Sequence, residues 1–316
     1  MSATSIQPNP KVCPCCSCEE GRVLLRDCED LLHGVAGRWS LIECANCGLV
    51  RTDPIPRDDQ IPALYPDDYG PHHRGFKPLG RSGLGAILRQ IAVSPYTVRF
   101  GRPGIACAPF GARRFLDVGC GAGSLLREMV DAGWCGTGLD LSETAVAEAR
   151  AAVPEASFHV GALASSALMG PYDLIAMQHV LEHVPRPTEC LRKCFDLLSP
   201  GGVLVIAVPN IDSLEAFFLK RHWVGLDLPR HLVHFPEPVL VRTLQTCGYE
   251  VVRRRPQMFA SSISESLQFF LPARLRRRVR KSAAARLFYL SLVFPACVSY
   301  LFGNRGAVEV FARRPA

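Results

Sequence analysis

No stretch of this chain reaches the ~20 apolar residues that a membrane-spanning helix requires. The apolar run 287–302 has 16 residues and is interrupted by Pro295. The first ten residues are polar and carry no apolar leader, so a cytoplasmic location is expected. There is also no large excess of either charge. Lys and Arg number 36 against 29 Asp and Glu, a net charge of +7, which permits an anionic partner without demanding one. No internal repeat is evident. What the 316 residues do have is a 48% hydrophobic content, ample for a sizeable core, and 14 cysteines. In a reducing compartment these cysteines point to metal ligands and buried thiols rather than disulfides.

Four of the cysteines have ligand spacing. Cys13-Pro14-Cys15-Cys16 and Cys44-Ala45-Asn46-Cys47-Gly48 supply two C-x-x-C pairs, and two such knuckles can present four thiolates to one zinc ion. Cys15 and Cys18 form a competing C-x-x-C pair. Cys13 and Cys16 are preferred, because a Cys-Pro-x-Cys knuckle partners the later Cys-x-x-Cys-Gly. Short strands are expected at 21–26 and 39–43, giving a zinc-ribbon-like module over 1–52, a piece small enough to need such a staple. With four thiolates the ion has no open position, so the zinc is structural. No βαβ pattern surrounds the cysteines, which argues against a redox motif.

Residues 53–110 read as a linker rich in Pro and Asp followed by a capping helix over 84–100. Tyr65 and Tyr69 in the linker either cover the site or simply anchor the segment. From 111 to 316 strands alternate with helices. Apolar runs at 115–118, 136–139, 157–160, 172–177, 203–208, 249–253 and 307–312 predict seven strands. Helices are expected from Ser142 and over 238–247, the latter ended by Gly248. This alternation indicates an α/β fold with a doubly wound parallel sheet. An insertion, 259–305, separates the last two strands.

The organising stretch is Phe115-Leu116-Asp117-Val118-Gly119-Cys120-Gly121-Ala122-Gly123-Ser124-Leu125-Leu126. A buried strand runs into a glycine turn and then a helix, which lets the backbone approach a ligand. Asp140, 21 residues beyond Gly119, closes the second strand where an acid can accept hydrogen bonds from both ribose hydroxyls. The dinucleotide fingerprint would place its third small residue at 124. Here the third glycine comes one place early, at Gly123.

This Asp-x-Gly-x-Gly-x-Gly form resembles motif I of the class I S-adenosylmethionine-dependent methyltransferases. Asp140 and the run Gln178-His179-Val180-Leu181-Glu182-His183-Val184 extend the likeness over about two thirds of the chain. The resemblance implies a seven-stranded Rossmann-like sheet and a methyl donor held by Asp117, Gly119, Gly121, Gly123, Asp140, Leu141, Ala162, Leu163 and Gln178. Many members carry an acid after the third strand for the adenine amino group. Here the chain reads Gly161-Ala162-Leu163, leaving backbone and apolar contacts for that task. The cysteine module resembles that of bacterial methyltransferases acting on sugars and cell-surface polysaccharides, so the implied acceptor is a small or lipid-linked molecule, a sugar or polysaccharide precursor.

A hydroxyl acceptor needs a base, and His179, His183, His231 and His234 are the candidates, the last two in Pro229-Arg230-His231-Leu232-Val233-His234-Phe235. His179-x-x-Glu182-His183 also matches an inverzincin protease pattern. Its place at a strand-to-helix junction of a nucleotide fold argues against that chemistry. A divalent ion at this run, as in ubiquinone-pathway O-methyltransferases, is a weaker alternative. Arg274–Lys281 is basic, and with the apolar run after it residues 274–302 have the composition of a peripheral contact with the inner membrane face, or of a helical cap. Two rival functions are an rRNA methyltransferase and a non-catalytic scaffold. The first is disfavoured because residues 11–52 hold five basic residues against six acids, so a nucleic-acid partner is not expected. The intact glycine motif argues against the second.

Overall fold

The computed structural model describes residues 12–65, 113–257, 260–272, 276 and 306–316. The expected helix at 84–100, Tyr69, and residues 274–302 apart from Arg276 lie outside these.

Two sheets organise the described chain. The larger has seven strands in the order β10-β11-β8-β7-β4-β5-β6. These are β4 (Arg114–Val118), β5 (Cys135–Asp140), β6 (Ser157–Val160), β7 (Tyr172–Gln178), β8 (Leu198–Pro209), β10 (Glu250–Gln257) and β11 (Ala307–Arg313). Its interior strand β8 shows why the run 203–208 is apolar throughout. Leu204, Ile206 and Val208 face one core, which also holds Leu116, Val118 and Leu139, while Val203 and Val205 face a second core with Phe115, Leu126 and Met129. A strand covered on both faces has no position left for a polar residue. The sheet is not wholly parallel as the strand–helix alternation suggested. β11 runs antiparallel to β8 and to β10.

Helices α1 (Ser124–Asp131), α2 (Glu143–Ala152), α3 (Pro187–Leu197) and α5 (Glu237–Thr246) accompany the sheet. Ser142 caps α2 as its residue type suggests, its hydroxyl accepting from the Ala145 amide at 3.2 Å. Helix α4 (Leu214–Leu219) follows β8, and α6 (Ala260–Gln268) opens the insertion.

The smaller sheet has the order β1-β2-β3-β9. Strands β1 (Gly21–Cys28), β2 (Trp39–Cys44) and β3 (Val50–Asp53) come from the N-terminal unit, and β9 (Val233–His234) comes from the loop region after β8. Val50 pairs with His234 and Arg51 with Val233, so the N-terminal sheet takes its fourth strand from the other unit. A buried ion pair adds to this junction. The Arg230 guanidinium, fully buried, donates to both Asp30 oxygens at 2.9 Å and to Asp227 at 2.7 and 2.9 Å. Asp30 also accepts from the amides of Leu32, His33 and Val35. Such a pair is tolerated because its charges and lone pairs are met, and removing one partner would leave the other buried alone.

Candidate methyl-donor and acceptor site

The strands β4, β5, β7 and β8 end on one side, and the loops at their carboxyl ends carry the site, as in other doubly wound sheets. After β4, Gly119, Gly121 and Gly123 all have positive φ, at 73°, 50° and 79°. At Gly119 the requirement is doubled, because a Cβ there would lie 2.3 Å from the Val180 side chain. Asp140, nearly buried, is held by two amides: Gly121 donates to Oδ2 and Ser142 to Oδ1, each at 2.9 Å. One lone pair per oxygen remains for an incoming hydroxyl.

Asp117 is buried one strand away, and burial together with the Asp140 charge pushes its carboxyl up to about 8. Leu141 is exposed beyond β5, Ala162 is exposed, and Leu163 is buried in the core. Gln178, at the end of β7, has neither its amide nitrogen nor its amide oxygen hydrogen-bonded among the described residues, although both are buried. A buried amide with open donor and acceptor positions fits a polar ligand at this corner.

Beyond β7 the four histidines differ. His179 adopts φ 56°, a strained conformation for a non-glycine residue. Its Nδ1 lies 3.3 Å from Glu182 Oε1. His183 Nδ1 lies 3.0 Å from the Arg230 carbonyl and 2.9 Å from Tyr65 Oη. His231 Nδ1 lies 2.8 Å from the Gly225 carbonyl. Because carbonyls only accept, both rings carry a proton on Nδ1. His234 is buried, with Nε2 3.2 Å from the Thr52 hydroxyl, which itself donates to the His231 carbonyl at 2.6 Å. Burial, then the charge of His231, holds His234 down at about 3, and burial likewise holds His183 at about 4.

Glu182 is almost wholly buried. Although burial opposes it, its hydrogen bond to His179 and the neighbouring imidazoles hold the carboxyl at about 2. Its Oε2 has no hydrogen-bond partner among the described residues. Ligand atoms of Glu182, His183 and His231 all lie within 4.8 Å of one another.

One consequence concerns acid stability. His234 is depressed from its usual 6.5, so between pH 6.5 and about 3 the unfolded chain binds a proton there that the folded chain does not. Its contribution is complete above pH 6.5 and lost on acidification, ~2 kcal/mol by pH 5. In His234→Gln, thermal unfolding should fall less steeply between pH 7 and 5 than in the parent. An equal slope would contradict the assignment.

The structure also brings Cys13, Cys16, Cys44 and Cys47 together, with all four sulfurs within 4.8 Å. Cys13 and Cys47 are 3.5 Å apart, as are Cys16 and Cys44. These separations are far from a disulfide bond and close to the ~3.8 Å edge of a tetrahedron with Zn–S bonds of ~2.3 Å. The hydrogen bond from Cys47 lowers the Cys13 thiol below its ordinary range. Cys15 is pushed up to about 12 by burial, and Cys18 turns to the Glu20 carbonyl. The competing C-x-x-C pair therefore stands outside the cluster.

Several partners were not singled out from sequence, among them Asp30, Thr52 and Arg230. Arg230 sits inside the Pro-Arg-His stretch, a signal that was available, but its partner Asp30 lies 200 residues away.

A family model of a methyltransferase domain matches residues 93–254, just over half of the chain. The ubiquinone biosynthesis O-methyltransferase of Caulobacter vibrioides is 37% identical over 142 residues, 43% of this chain and 54% of that protein. The protein of the same name from Mesorhizobium japonicum is 32% identical over 197 residues, 59% of this chain and 77% of that protein. The chain spans about half the length of the first of these relatives. A solved S-adenosylmethionine dependent methyltransferase from Mesorhizobium loti superposes with a TM-score of 0.47 at 20% identity, covering 69% of this chain and 95% of that one. With the glycine turn, the two buried acids and the family match in place, the chain belongs to the methyltransferase-domain family of class I S-adenosylmethionine-dependent methyltransferases.

Proposed function

We propose that this chain transfers a methyl group from S-adenosylmethionine to a hydroxyl of a small or lipid-linked acceptor. The observation that carries this reading is the corner formed by Gly119, Asp117, Asp140 and Gln178, where close backbone approach, two buried acids and an unpartnered amide converge. Asp140 would take the ribose hydroxyls, Asp117 and Gln178 the amino-acid end, and Leu141, Ala162 and Leu163 the adenine. The bound donor supplies an already activated sulfonium methyl, so the protein's task is to align the attacking oxygen and receive its proton.

Among the histidines, His179 is taken as the group that receives the proton, its Nδ1 held by the Glu182 carboxylate at 3.3 Å. His183, His231 and His234 line the deeper wall. The relatives' names favour an oxygen acceptor. Sugar and polysaccharide precursors remain the class that the cysteine module suggests, to be screened beside ubiquinone-type precursors with labelled methyl donor. A second reading adds a divalent ion held by Glu182, His183 and His231, favoured by the unpartnered Oε2. Four thiolates holding zinc complete the N-terminal unit. No described helix is long and apolar enough to cross a membrane. The cytoplasmic side of the inner membrane, with contact through 274–302, is the proposed location.

The elevated Asp117 gives a direct test. In the free protein its carboxyl is protonated below about pH 8, whereas a cationic amino group of the donor needs the carboxylate. Binding at pH 7 should therefore release a proton, and affinity should rise with pH toward 8, by up to ~10-fold per unit. Calorimetry in buffers of different ionisation enthalpy reads the release directly. Asp117→Asn should abolish it, and an unchanged proton count would remove Asp117 from the site.

A further inference from the structure

We propose that Tyr65, from the segment that follows the N-terminal sheet, is a positioning residue of the acceptor site and fixes the His183 ring through its Nδ1. The inference rests on the methyl-transfer reading above, in which His183 lines the wall of that site.

Two oxygens meet the same ring nitrogen. His183 Nδ1 lies 3.0 Å from the Arg230 carbonyl and 2.9 Å from Tyr65 Oη. The carbonyl can only accept, so Nδ1 carries the proton, and the phenol oxygen takes a second share of it. A proton held between two fixed oxygens sets both the tautomer and the rotation of the ring. His231 packs edge to face on the same imidazole, with ring centroids 4.6 Å apart.

Tyr65 is itself held in place. Its ring packs on Ile55, Ile61 and Leu232. Leu64, the residue before it, is buried, and its carbonyl accepts from the Arg230 guanidinium at 3.3 Å. The same guanidinium grips both Asp30 oxygens. The backbone of Leu232 continues the tie. Its carbonyl accepts from the Thr52 amide at 3.0 Å, and its amide donates to the Glu182 carbonyl at 2.8 Å. Strand β3, the stretch 230–234 and the loop of Glu182 and His183 thus share one hydrogen-bonded frame, and Tyr65 meets His183 on it.

An apolar anchor would need only the aromatic ring. The atom that reaches His183 is the hydroxyl oxygen, which phenylalanine would lack, in a half-buried place where water competes less for the bond. A reacting oxygen must be aligned to within a fraction of an ångström, and a wall whose ring can rotate does not provide that. The zinc-holding end of the chain therefore contributes to the geometry of the acceptor site as well as to stability.

The test is nuclear magnetic resonance of the full, zinc-loaded chain with ¹⁵N-labelled histidine, the His183 signals being those missing from His183→Gln. Donor affinity, measured by calorimetry, serves as the control for folding. The parent should show a slowly exchanging His183 Nδ1 proton. Tyr65→Phe keeps the ring in its apolar seat and removes only the oxygen. In that variant the His183 proton should exchange with water roughly two- to tenfold faster, the effect of losing one hydrogen bond. The His234 signals and the donor affinity should stay at the parent's values.

Three results would overturn the proposal: a parent without a slowed Nδ1 proton on His183, a Tyr65→Phe variant with His183 signals unchanged, or a variant in which His183 and His234 shift alike, which would make the hydroxyl a general packing element. Absence of donor binding in a parent whose His183 proton still depends on Tyr65 would defeat the methyl-transfer reading and leave the Tyr65 contact standing.

Discussion

Replacing Asp140 with alanine should lower affinity for S-adenosylmethionine by roughly 10²-fold or more, with little change in folding. Two hydrogen bonds from ribose hydroxyls to a buried carboxylate are worth ~1.5–3 kcal/mol each, and the substitution removes both. It also releases the Gly121 and Ser142 amides that the carboxylate now holds at 2.9 Å. The glycine turn therefore loses an anchor together with the ligand's partner. Asp140→Asn separates the two effects. Its amide oxygen can still accept from one backbone amide, so the turn should hold while ribose binding weakens less than in the alanine variant. Calorimetric titration of the three proteins reads the difference. Parental affinity in Asp140→Ala would remove the ribose assignment.

Stripping metal from the four-cysteine cluster should have the largest effect on stability. Structural zinc contributes ~10–16 kcal/mol in isolated zinc-finger peptides, and a module of this size has little core beyond Trp39, Leu41 and their neighbours. The consequences should spread past the N-terminal unit. Strand β3 pairs with β9, Thr52 donates to the His231 carbonyl, and Asp30 neutralises the buried Arg230. Once the unit loosens, Arg230 keeps only Asp227 as an acidic partner, a costly state for a buried cation. A strong chelator should therefore lower the unfolding temperature by roughly 10 °C or more and shift the emission of the buried Trp39 to the red. Cys44→Ser should behave in the same way without chelator. Cys18→Ser, outside the cluster, should hold metal with parental stoichiometry. Unchanged unfolding and emission after complete metal removal would show that the four sulfurs merely meet in space.

The parts of this molecule legible in sequence are those fixed by local chemistry. The glycine turn, Asp140, the Ser142 cap and the apolar β8 strand each depend on residues within a few positions, and the structure has them where the pattern placed them. The four cysteines were readable because knuckle spacing is itself a geometric statement, and the structure gathers that set rather than Cys15 and Cys18.

Long-range pairing was not readable. A two-residue strand such as β9 has no periodicity, and its partner β3 lies some 180 residues earlier. The reversal of β11 is seen in its pairing with β8 and β10, which local pattern does not encode. The histidines show the same limit from the other side. Their residue type suggests proton transfer for all four, and only three-dimensional surroundings distinguish His179, partly exposed beside Glu182, from His234, buried against Thr52.

The central claim is that the corner at the ends of β4 and β5 binds S-adenosylmethionine. Its most direct test is calorimetric titration of the folded, zinc-loaded chain with S-adenosylmethionine and, separately, with NADH. Micromolar binding of the methyl donor, with no heat from NADH, is the expected result. No binding of the methyl donor to folded protein would contradict the account and leave a scaffold that keeps the fold without its chemistry.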